Sequence, residues 1–140
     1  MNLLTTMTYR ILLSILVCAL FAACDSSTPV EDDGPPDLTD TWTSTFEDEQ
    51  GDEFDLTLQL QTTATEVAGG GTFDGPDEVS DFSIAGGAYN FPTLELQLSI
   101  TGSRPGTLTG TVSEDGSQID ATISGTDIGS FSNTPLVLTR

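Results

Sequence analysis

Histidine and lysine are absent from the sequence, and its only cations are Arg10, Arg104 and Arg140. Without an imidazole or an amine, the usual nucleophile–base pairs, Schiff-base chemistry and zinc sites cannot be assembled. Carboxylates and hydroxyls are the only groups left for chemistry. Basic patches are missing as well: with 22 aspartates and glutamates the formal net charge is −19. That balance excludes a nucleic-acid surface and argues against docking of the protein itself on anionic headgroups, because both require clustered cations. Cysteine is confined to Cys18 and Cys24. No apolar run is long enough to span a bilayer: Ile11 to Ala23 is 13 residues with Ser14 inside it, whereas about 20 are needed. Helical periodicity is absent throughout the chain beyond Leu38.

The short apolar run lies behind Arg10 and ends in Phe21-Ala22-Ala23-Cys24. Its length, its basic flank and the two small residues at its end predict a signal peptide over residues 1–23. The four terminal residues resemble the lipobox of bacterial lipoproteins, with Phe21 where that family usually has leucine. The resemblance implies diacylglyceryl transfer to the Cys24 thiol, cleavage before it and acylation of the new amine. Two or more acyl chains, at about 0.8 kcal/mol per buried methylene, would hold the chain to a membrane permanently. Cys18 leaves with the signal peptide and Cys24 is consumed by lipid. No disulfide is therefore expected, although the compartment would permit one.

Residues 24–37 read as the lipidated cysteine followed by an acidic, proline-containing tether, DSSTPVEDDGPPD, extended because it has almost nothing to bury. An acidic run in this place is similar to the surface-export signal of some outer-membrane lipoproteins. Asp25 directly after the cysteine is similar to the inner-membrane retention signal of enteric bacteria. Both stay open, with the outer membrane or cell surface the expected location. The mature chain would keep two arginines against 22 carboxylates, a formal charge of −20. Strong acidity without lysine resembles secreted proteins of salt-adapted bacteria.

From Leu38 the composition turns to Thr, Ser, Gly and large apolar residues that recur with period 2, the mark of strands with one buried face. Phe54, Leu56, Leu58 and Leu60 share a parity, as do Leu94, Leu96, Leu98 and Ile100; Trp42 with Phe46, Val67 with Phe73, Phe82 with Ile84, Leu108 with Val112, Ile119 with Ile123 and Leu136 with Leu138 behave alike. Turn signals separate these runs, and Asp115-Gly116 predicts a type I′ hairpin turn. The count is eight strands in residues 38–140, joined by loops too short for a parallel crossover. An eight-stranded antiparallel up-and-down meander leaves two edges unless it closes, so a small barrel is favoured over a two-sheet sandwich. Gly69-Gly70-Gly71 and Gly86-Gly87 are expected to bend the sheet.

Two constellations carry candidate sites. In the stretch Glu47-Asp48-Glu49-Gln50-Gly51-Asp52-Glu53, the carboxylates of Glu47, Asp48, Glu49 and Asp52 are weak candidates for a hard cation. The spacing is not that of an EF-hand, and a solvated acidic loop is the preferred reading. Trp42 at the start of the first strand and Arg140 at the end of the last share the inward parity of their strands, which predicts a cation–π contact closing one mouth. Here the chain is similar to the lipocalin and avidin group of eight-stranded barrels, in which a Gly-x-Trp sequence opens the first strand and an arginine of the last packs across the indole. Asp40 occupies the glycine position.

Two classes of function follow. One is a non-catalytic surface or interaction domain on a lipid anchor. The other is a lipocalin-like binding module for a small apolar ligand or a cation. The number of large inward residues favours a packed interior and hence the first. No cofactor, metal or nucleic acid is expected, and the chain is expected to be a monomer whose membrane contact is the lipid on Cys24.

Overall fold

The computed structural model describes residues 34–63 and 66–140. The expected signal peptide, Cys24 and the tether up to residue 33 lie outside the described residues. Gly34–Arg140 is one compact unit. Its strands are β1 (Asp40–Glu47), β2 (Glu53–Thr62), β3 (Val67–Asp74), β4 (Val79–Asn90), β5 (Thr93–Ile100), β6 (Gly106–Val112), β7 (Gln118–Ser124) and β8 (Thr134–Thr139). Each pairs antiparallel with the next, and β8 returns to β1, so the meander closes as a barrel rather than splitting into two sheets. Closure removes the two edges that an open meander would expose.

Alternation of side chains across the pleat sorts each strand into an inner apolar and an outer polar set. In β5 the sequence TLELQLSI buries Leu94, Leu96, Leu98 and Ile100 and exposes the residues between them. β2 does the same with Phe54, Leu56, Leu58 and Leu60. Trp42, Phe73, Leu108, Ile119, Ile123 and Leu138 complete a continuous core. At about 1.5–3 kcal/mol for each large side chain taken out of water, this core is the main force holding a chain that has no crosslink among the described residues.

β4 departs from simple parity. Phe82 is buried and Ile84 only half-buried, the register slips between Ile84 and Gly86, and Tyr89 turns inward on the opposite parity. One extra residue in a strand reverses which residues face the core beyond it. The glycines of β3 serve close approach rather than simple bending. A Cβ on Gly71 would meet the Thr57 carbonyl oxygen at 1.9 Å, and Gly69 has φ +144° with the Gln59 carbonyl oxygen equally near. The expected type I′ turn at Asp115-Gly116 is not formed, because Gly116 has positive φ and Asp115 does not. The loop closes through Gly116 N–H to Ser113 C=O at 2.9 Å. The Asp115 carboxylate accepts from the Ser113 hydroxyl at 2.7 Å and the Ser117 N–H at 3.1 Å, which holds that residue in place.

Candidate functional site

The two mouths of the barrel are built differently, and each is filled from a segment outside the strands. At the first mouth the chain enters through Pro36, Asp37 and Leu38, and Leu38 is fully buried. The fully buried Trp42 donates its Nε1–H to the Leu38 carbonyl at 2.9 Å. The Arg140 guanidinium carbon lies 5.0 Å from the centre of the Trp42 ring, and Nη1 donates to the Asp37 carbonyl at 2.9 Å. Gly116 leaves room for Pro36, since a Cβ there would lie 2.6 Å from the proline Cβ.

The Asp37 carboxylate ties this entry segment to β2. It accepts from the Thr62 hydroxyl and from the Thr39 N–H at 2.9 Å. The Thr62 hydroxyl, then Thr39, and more weakly the Arg140 charge, lower its pKa to about 2. A carboxyl depressed below its unfolded value of about 3.9 contributes stability that is complete above that value and disappears as pH falls through the folded one. Asp37→Asn is therefore expected to lower the denaturant midpoint at pH 5. The gap from the unaltered chain should shrink by pH 2, as read from unfolding curves at both values. A gap that stays constant with pH would contradict the ionised role of Asp37.

The second mouth is closed by Phe131, which comes from the loop between β7 and β8. Its ring centre is 5.0 Å from Phe54 in an edge-on contact and 5.5 Å from Phe46, with Phe73 at 6.1 Å. An isolated phenylalanine among Ser, Gly and Asn has no periodic partner, so nothing in the local sequence marks it as core. Asp48 anchors the loop that carries it. Its carboxylate accepts from the backbone N–H groups of Ser130 at 3.0 Å, Gln50 at 2.8 Å and Asp52 at 3.0 Å, of which the Ser130 bond contributes most to lowering its pKa.

Asp48 is thus occupied as a loop brace, while Glu47, Glu49 and Asp52 are exposed. Among the described residues no three carboxylates converge to hold a metal ion. Beside this loop a cleft of about 670 Å³ runs over Phe54, Phe73 and Phe131, rimmed by Asp77, Glu78 and the Arg104–Asp127 pair. That pair is 2.6 Å apart and largely exposed, so it contributes little to stability.

Three buried polar groups have no hydrogen-bond partner among the described residues: the Ser44 and Thr134 hydroxyls and the Tyr89 phenol. Burial raises the Tyr89 pKa. The inward parity of Ser44 and Thr134 follows from their strands, but hydroxyls cannot be told from surface residues in a Thr- and Ser-rich chain. Cys24 lies outside the described residues.

The fold and its two mouths define a closed eight-stranded antiparallel β-barrel with a side-chain-filled interior. No protein family, curated protein or solved structure compared with the chain matches it.

Proposed function

We propose that the chain is a lipid-anchored, extracytoplasmic envelope protein whose barrel acts through its surface, without catalysis and without a stored ligand. The observation that carries this reading is the filling of the barrel: Leu38 and Trp42 occupy one mouth, Phe131 the other, and leucines, isoleucines and Phe73 the space between. An eight-stranded barrel has room for side chains or for one small ligand, and here the side chains take it. The anchor rests on the similarity of Phe21-Ala22-Ala23-Cys24 to a lipobox and on an apolar run too short to span. Its location would be the outer membrane or the cell surface. The Trp42 and Arg140 pairing supports a likeness to the lipocalin and avidin group in architecture, and ligand binding does not follow from fold alone.

Two measurements test this. Mass spectrometry of the membrane fraction should find a mature terminus at Cys24 carrying acyl chains; an unmodified terminus elsewhere would overturn the anchor. Nile red, a neutral apolar probe that the negative surface does not repel, should show no saturable fluorescence gain. Saturable uptake would favour the alternative, a module for a small apolar ligand, for which the 670 Å³ cleft over Phe131 is large enough.

A further inference from the structure

The seam where the barrel closes is the least paired part of the sheet. Between β1 and β8 the ladder holds the single pair Thr43–Thr139, whereas the β1–β2 ladder runs from Asp40–Leu60 to Glu47–Glu53. Over this seam lies a cleft of about 590 Å³ on the outer face of β8, β1, β2 and β3. Two cross-strand rows line it. One is Thr139, Thr43, Thr57 and Thr72, each paired with the next. The other runs Thr45, Asp55, Asp74 and Val79, and Val137, two residues before Thr139, extends it at the β8 end.

The second row has an unusual charge arrangement. Asp55 and Asp74 stand directly opposite each other, a placement that is destabilising for like charges. No described cation offsets them, since Arg104 pairs with Asp127 at one mouth and Arg140 covers Trp42 at the other. Both ends of the row are apolar: Val79 and Val137 are exposed at 63% and 47%, and exposed large hydrophobics are few among the described residues.

We infer that this groove binds an extended cationic peptide segment of a partner protein, with two basic side chains set between two apolar ones. Counted at about 4.8 Å per strand across β8, β1, β2, β3 and β4, Val137 and Val79 lie roughly 19 Å or more from each other along the curved outer face. Alternate side chains of an extended peptide repeat every ~6.7 Å, so four on one face span about 20 Å: the outer two reach the valines, and the inner two, if long and basic, reach Asp55 and Asp74 past Thr45. The basic groups relieve the Asp55–Asp74 repulsion, and the apolar ones cover the two valines. A second copy of the chain would bring like charge to the groove and is disfavoured. The inference rests on the reading of the barrel as a surface-acting domain.

The test is a titration of the full chain, labelled with ¹⁵N, with the heptapeptide Val-Ser-Lys-Ser-Lys-Ser-Val and with its counterpart carrying glutamate for lysine. The lysine peptide should give saturable shifts gathered at Thr43, Asp55, Thr72, Asp74, Val79 and Val137, and the glutamate peptide none. Asp55→Asn combined with Asp74→Asn should weaken binding at least about tenfold, while Glu95→Gln with Glu114→Gln, the same change in net charge placed elsewhere, should alter it less than about twofold. The first pair of substitutions removes repulsion, so its unfolding midpoint should equal or exceed that of the unaltered chain. Equal weakening by both pairs, or no saturable shift, overturns the groove. Shifts gathered on another outer face overturn the groove while leaving a surface-acting domain in place, and shifts confined to core residues overturn both.

Discussion

Trp42→Ala is expected to lower the free energy of unfolding by about 3–5 kcal/mol, the range for truncating a buried aromatic side chain. Denaturant unfolding followed by the fluorescence of tyrosine, or by circular dichroism, would read it, since the sequence has no other tryptophan. Three terms are lost together. The indole is fully buried, so a cavity is left among Leu38, Leu58 and their neighbours. Removing the Nε1–H leaves the Leu38 carbonyl without its 2.9 Å donor, and an unsatisfied buried acceptor costs about 1–3 kcal/mol. The Arg140 contact is the smallest term, because the guanidinium is exposed on its outer side and an exposed cation–π pair contributes about 0.5–1 kcal/mol.

The order of these terms is itself testable. Arg140→Ala should lose only about 1 kcal/mol, although it also removes the bond to the Asp37 carbonyl. A loss at Arg140 as large as that at Trp42 would mean that the cation, not the buried indole, holds the mouth. In a domain of this size, net stability is on the order of 5–15 kcal/mol. The tryptophan substitution therefore removes a large share of it, and should also loosen the entry segment at Pro36 to Leu38.

Stability is expected to rise with ionic strength, by on the order of several kcal/mol between about 0.01 and 1 M NaCl. The chain carries 22 carboxylates and three arginines, and folding gathers most of the carboxylates on the outside of one small barrel. Two like charges about 10 Å apart in water repel by roughly 0.4 kcal/mol, and many such pairs exist on this surface. The Debye length falls from about 30 Å to about 3 Å over that range of salt, which removes all but the nearest repulsions. Asp55 opposite Asp74 and Glu47 opposite Glu53 are such near pairs. Urea midpoints measured in matched NaCl and KCl series should climb together. Flat or falling midpoints would show that repulsion is not a controlling term, and the likeness to salt-adapted secreted proteins would lose its physical basis.

Most of the architecture was legible because a barrel strand leaves a simple trace. One face is apolar and the other polar, so Leu94, Leu96, Leu98 and Ile100 announce both the strand and its inner side. Short loops force antiparallel neighbours, and the need to hide two edges favours closure. The same parity brings Trp42 at the start of β1 beside Arg140 just past the end of β8, and the guanidinium lies 5.0 Å from the ring centre, although Arg140 stays exposed at the mouth rather than turning into the interior. Parity also explains the failures. It breaks at the β4 bulge, where a single added residue turns Tyr89 inward, and it has no purchase on a loop residue such as Phe131. The dipeptide Asp115-Gly116 points to a type I′ turn, and by itself it does not reveal that serine hydroxyls on both sides bind the carboxylate.

The sequence by itself determined the class of this protein: acidic, free of imidazole and amine side chains, and built of alternating strands around one apolar interior. Those properties depend on residue identity and on a two-residue period, and both can be read without coordinates. Tertiary structure alone decided how the ends are sealed, because Leu38, Phe131 and Asp48 acquire their roles from residues distant in the chain: Thr62, Phe54 and Ser130. It also decided that Asp55, Asp74, Val79 and Val137 share one face of a thinly paired seam. Such a juxtaposition is set by register between strands, and register comes from the packing of the whole barrel rather than from any segment of it.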